Sequence, residues 1–264
     1  MNEPINPYAP PQALEPLQQR PAPGGQITYA RPYQSARGKT TALVYTSSIA
    51  IVLQLVMIVS FGMQLSMLYG AQSGAGLDQA NANANDMRQL IITGVLVLCV
   101  LTSMIMLFVW VYSTHANLPS LGATNLDFSS GWAVGWFFVP IMNLFKPYQV
   151  VSEIWHMSQP NPLLGREPTG ATLIGWWWGL RICSHIAEQG LKAFARNADT
   201  VDLLIAVSWI AIVGTILIDI PMVICQIFMA RTVQRFQDER YELVTAQHVA
   251  SPSIPGANPF APRE

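Results

Sequence analysis

Two charged residues stand inside long apolar runs: Arg181 in "TGATLIGWWWGLRICSHIAEQG" and Asp219 in "VDLLIAVSWIAIVGTILIDIPMVICQIFMA". A charge held in hydrocarbon is costly, so its expected chemistry is ion pairing, ion or proton movement, or capture of a charged group. Each lies about 11 residues, roughly 16 Å at helical rise, from the same end of its run. On adjacent antiparallel helices the two come level, and the spacing predicts a buried Arg181–Asp219 pair. Such a pair either fixes helix packing or carries a transport step, and the sequence weighs these equally. His185 and Glu188 continue the face of Arg181 at helical spacing. A helix end nearing the external interface accounts for them better than a proton relay does. Pro221 lacks an amide just after Asp219 and predicts a kink.

Other chemistry is sparse. Cys99, Cys183 and Cys225 sit singly in apolar runs, with no ligand spacing among them. Met63 and Met67 are spaced like a thioether pair for Cu(I), but no third methionine stands in register, and packing is the better reading. No phosphate loop, dinucleotide fingerprint, zinc-protease motif or nucleophile elbow occurs. No catalytic residue, metal site or cofactor is therefore expected.

The elements that must position these residues are membrane helices. Of 264 residues, 51% are hydrophobic and 11% charged, against about 25% charged in soluble domains. Net charge is −1, which gives no case for nucleic acid. Four apolar runs reach the roughly 20 residues that cross a bilayer: residues 41–69, 90–114, 169–190 and 201–230. The expected fold is all-α, a four-helix membrane domain over 41–230. A juxtamembrane helix follows at 231–246. Residues 1–40 and 247–264 are Pro-rich and read as disordered tails. The first 40 residues lack the apolar core of a cleavable leader, so the first run is expected to act as an uncleaved anchor. Lys and Arg flank the first and last runs (Arg20, Arg31, Arg37, Lys39; Arg231, Arg235, Arg240). By the positive-inside rule both termini are cytoplasmic. The tails share Asn6-Pro7-Tyr8-Ala9-Pro10 and Asn258-Pro259-Phe260-Ala261-Pro262. A peptide ligand for a protein partner is one reading; shared composition is the preferred one.

"GWFFVPIMNLFKPYQVVSEIW", residues 135–155, starts like a span and stops. A crossing would put Asn143 and Lys146 at mid-membrane between two prolines. The stretch instead reads as a half-inserted element over 131–158 in the cytoplasmic loop. A short apolar helix enters, the chain turns at 143–146, and Pro147 opens an amphipathic helix. Tyr148, Val151, Ile154 and Trp155 form its apolar face; Gln149, Ser152, Glu153 and His156 form its polar face. It is expected to lie on the membrane with Trp155 as anchor. Trp110, Trp132, Trp136, Trp155 and Trp176 to Trp178 map to one interface and read as an aromatic belt, with at least one of the three consecutive rings facing the protein.

"WVYSTHANLPSLGA", "GWAVGWFFVPIMNLFKPYQVVSEIW" and "GWWWGL" together resemble the bacterial membrane family of domain of unknown function 4328. The matching positions are Gly135, Trp136, Phe137, Pro140, Asn143, Pro147, Glu153, Ile154, Trp155, Trp176 and Trp177, with Asn117 and Gly122. The resemblance is carried by residues 110–178. It implies a four-span inner-membrane protein with an embedded cytoplasmic loop, and no assigned activity. His115 and Pro119 stand where relatives tend to carry more Arg. Function is expected to be that of a non-enzymatic scaffold or regulator working through its cytoplasmic face. The alternative is a small oligomeric transporter or channel using Arg181 and Asp219. The expected partners are lipid, a second copy of the chain, and proteins that bind the tails.

Overall fold

In a computed structural model the described residues are 32–76, 78–160, 168–196 and 200–250. Both tail motifs lie outside them. Every long run free of breakers forms a helix, and no strand occurs among the described residues. Helix α1 is Arg37–Gly70, and a π-turn, Ala71–Ala75, closes it. Gly74 and Gly76 take positive φ there and reverse the chain. Asp78 caps α2, Gln79–Asn117, accepting from Ala80 N–H. Two short helices follow, α3 at Ser130–Gly135 and α4 at Lys146–Ser158. Then come α5, Pro168–Ala195, and α6, Val201–Gly214, capped by Thr200. A second π-turn, Thr215–Asp219, joins α6 to α7, Ile220–Ala250, in one rod.

Among the described residues, three helices are long and apolar enough to cross a membrane: Arg37–Gly74, Gln79–Asn117 and Val201–Ala246. The fourth expected run is a 28-residue helix, α5, but it carries Arg181, Glu188 and Lys192.

Hydrogen bonds between helices fix their directions. Tyr33, just before α1, and Arg37, its first residue, reach Asp238 near the end of α7. Asn117, ending α2, donates to Gln237. These elements and residues 118–160 share one end, the cap end. At the far end Gln72 donates to Asp202 (2.6 Å) and the Trp209 indole to Tyr69 (3.1 Å). Helix α5 runs between the ends: Trp178 donates to the Leu144 carbonyl beside the cap, and its last residue, Ala195, is five residues before Thr200, which caps α6 at the far end.

Polar side chains cross-link the interior, as they do where lipid removes the hydrophobic contrast between helix faces. Thr40, Ser47 and Gln54, seven residues apart on α1, are all buried. Ser47 meets Ser103 at 3.2 Å and accepts from Gln226, which accepts from the Trp177 indole. One chain of bonds thus joins α2, α1, α7 and α5. Apolar packing is concentrated at the cap end, around Leu43, Trp110, Val151, Trp177, Met229 and Val233.

Several boundaries differ from expectation. Residues 32–40, expected within the tail, pack on the bundle: Tyr33 stacks on Tyr241 with ring centroids 4.4 Å apart. The juxtamembrane stretch is no separate helix; α7 runs unbroken from Ile220 to Ala250. The short apolar helix expected to open 131–158 is only Ser130–Gly135, and the turn starts well before residue 143. Most expected belt tryptophans are core: Trp110, Trp155, Trp177 and Trp178 are buried, while Trp132 and Trp176 are exposed.

Candidate functional site

Two of the polar constellations hold residues singled out in the sequence, Glu153 in the cap and Asp219 in the middle of the bundle. In the cap, α4 lays its apolar face on the helix bundle. Val150, Val151 and Ile154 are fully buried, and Trp155 packs edge-on against Phe236 of α7. The Trp155 indole nitrogen is enclosed without a partner, so this ring is a core ring and not a headgroup anchor. The expected lipid-facing surface is spent on protein. The same rotation carries Glu153 inward, where it is 9% exposed.

Glu153 there meets His115, at the end of α2, with Nε2 to Oε2 at 3.1 Å. With Nε2–H donating to the carboxylate, Nδ1 accepts from the Ser130 hydroxyl at 3.2 Å. The other Glu153 oxygen accepts the Asp127 amide. The order Ser–His–Glu is that of a nucleophile relay. Yet the imidazole is 1% exposed, and each of its nitrogens is committed within the cap. The line is a strut joining α2, α3 and α4. Glu153 is a family-pattern position, whereas His115 stands out in the sequence only as a departure from that pattern and Ser130 not at all, 38 and 23 residues upstream of it. The one further signal was a histidine ending an apolar run.

Beside the strut, Gln237 donates to the Thr114 carbonyl (2.9 Å) and the Ser158 hydroxyl (3.0 Å) and accepts from Asn117. Arg240, 8% exposed, donates to the carbonyls of Leu121 (2.8 Å), Met157 and Gln159 (3.3 Å). Its charge lies against the carbonyl end of α4, where a helix favours a cation. The turn opposite carries Phe138, Ile141, Leu144 and Phe145, all exposed, and Ile141 holds φ +68°. Lys146 leans over the rings of Phe128 and Trp136, 5.2 and 5.7 Å from their centroids.

The mid-bundle constellation corrects the Arg181–Asp219 expectation. Asp219 Oδ1 accepts from Ser184 at 2.6 Å, and no ion pair among the described residues joins Asp219 to Arg181. Ser184, three residues or just under one helical turn beyond Arg181, is what comes level with Asp219. His185 is exposed, and Glu188 pairs with Lys192 at 3.6 Å. Asp219 ends the π-turn that precedes Pro221. Pro221 has no amide to offer Leu217, four residues back, and the looser turn takes up the mismatch. Beside this turn is a cavity of about 560 Å³ with Asp219 in its wall.

The remaining expected positions divide by burial. Trp177 and Pro147 are buried and Trp136 is half-buried; Pro140, Asn143 and Trp176 are exposed. No curated protein and no solved structure is significantly similar to the chain. One family pattern matches residues 73–238, a wider reach than the stretch that carried the resemblance, and one that starts just past α1. With more than half of its length matched, the chain belongs to the family described as Domain of unknown function (DUF4328).

Proposed function

We propose that the protein is a four-span protein of the bacterial inner membrane whose rigid cytoplasmic cap serves as a scaffold or regulator of other proteins. α5 supplies the fourth crossing: it is about 42 Å long, enough for a hydrocarbon core of about 30 Å, and it runs between the two ends of the bundle. Arg37, Lys39, Arg231, Arg235 and Arg240 gather near the cap end, which supports a cytoplasmic cap. The exposed Phe138, Ile141, Leu144 and Phe145 are suited to dip into the inner leaflet. The interfacial part of the loop is thus this turn rather than α4.

The observation that carries the reading is the polar network of the cap. His115, Asn117, Glu153, Gln237 and Arg240 are all buried, and every one bonds to another element. Fully satisfied polar networks give a unique, stiff arrangement, which a docking platform needs. A photo-crosslinker at exposed Asn125 or Gln149 in living cells tests it. The expected outcome is a discrete adduct with another protein, lost on Gln237→Leu. Adducts with lipid or with the chain itself alone would sink it. Maleimide labelling of Asn143→Cys from the cytoplasm only, and of Ser73→Cys from outside only, tests the orientation.

The cavity beside Asp219 favours a second reading, a small transporter, without the Arg181 partner. Flux in proteoliposomes that vanishes with Asp219→Asn would support it over the scaffold.

A further inference from the structure

The cavity in the far half of the bundle has a composition that selects a ligand. Its walls come from α1, α2, α5, α6 and the π-turn, and they are mainly apolar. Phe61 and Trp209 add aromatic rings. Among the described residues, the ionisable ones in its wall are Asp219 and Glu188, both acidic, with no Lys, Arg or His. Glu188 is 58% exposed and already meets Lys192. Asp219 is the carboxylate left for a ligand. Ser184 occupies its Oδ1, and among the hydrogen bonds of the described residues Oδ2 takes none.

We propose that this cleft binds a lipophilic organic cation, with Asp219 as the counter-charge. Its volume lies within the roughly 300–1,000 Å³ of small-molecule pockets. An apolar body gains from the aliphatic and aromatic walls. A positive group gains from a carboxylate in a medium that screens it poorly, and from the rings of Phe61 and Trp209. An anion meets two negative groups and is rejected. A neutral lipid tail would fill the walls equally well but leaves the carboxylate unused. The π-turn holds Asp219 at the cavity margin, where a regular helix would rotate it onward; such turns recur at functional positions.

The inference is independent of the scaffold reading and gives the transport reading its substrate class. Binding is measured without flux, so failure of one is distinguishable from failure of the other. The full chain, in neutral detergent, is dialysed to equilibrium against tetraphenylphosphonium. The expected result is saturable binding, displaced by dodecyltrimethylammonium and not by dodecanol. Asp219→Asn is expected to weaken it about tenfold or more. Gly214→Leu fills the cleft without touching the charge, since a Cβ at Gly214 meets nothing within 4 Å; it is expected to abolish binding. His185→Ala, an exposed neighbour, leaves binding unchanged. Binding that is unsaturable, or unaltered in both Asp219→Asn and Gly214→Leu, overturns the proposal. Equal displacement by dodecanol also overturns it and identifies a lipid-tail pocket instead.

Discussion

Arg240 is a buried cation that answers to backbone carbonyls rather than to a carboxylate. Its planar fork reaches three of them from two directions, which a single ammonium does not reproduce. Arg240→Met is expected to lower unfolding stability by at least about 2 kcal/mol, because buried acceptors lose their donors. Arg240→Lys is expected to recover less than half of that, read from denaturation midpoints in detergent; full recovery by Lys would show that only charge matters. Residue-scale chemistry was partly legible in the sequence. Asp219 announced itself, because one carboxylate in an apolar run has no other reason to be noticed. Its partner did not, because depth follows from counting residues while rotation about the helix axis depends on neighbours. His115 was hidden for a similar reason: its partners Ser130 and Glu153 come from two later elements.

Helix α4 shows how far an amphipathic pattern reaches. The period gave the helix and its two faces, but not what covers the apolar one. Lipid tails and a protein core are equally apolar, so hydrophobicity alone does not choose between them. The bundle took that face, and the apolar turn before α4 was left outward. Gln237 is the bolt, touching α2 and α4 at once. Gln237→Leu is expected to raise amide exchange across residues 146–158 at least about tenfold, leaving residues 90–105 unchanged. Uniform exchange in wild type and variant would show that α4 holds without it. The segment before α1 is fastened by Tyr33, which donates to Asp238 at 2.8 Å. Burial, and then the bond to Asp238, push the Tyr33 hydroxyl well above its ordinary range. A raised folded value gives stability that is complete below the unfolded value of about 10 and is lost as pH rises past it. The tyrosinate absorbance of wild type minus that of Tyr33→Phe is therefore expected to titrate above about pH 10. A difference curve centred at the ordinary value would show that the segment is not docked.

Across the whole molecule, apolar packing is uneven. The apolar core gathers at the cap, while Leu98, Ile186 and Leu217 of the far half are exposed. In neutral micelles, amides of residues 184–215 are expected to exchange faster than those of 107–118 and 226–240. A flat profile would mean that cap and far half open as one unit. The helical, membrane-class fold was legible because long uncharged runs admit few alternatives, and the family pattern begins where the second of those runs is being prepared. The weighting of packing toward one end was not, since it depends on how the loop of 118–160 folds back. The rod from Val201 to Ala250 runs through both halves, with the π-turn within it. Asp219 stands in that turn at the cavity wall, while Gln237 and Arg240 stand farther along the same rod, so a single element carries both the cavity's carboxylate and the fastenings of the cap.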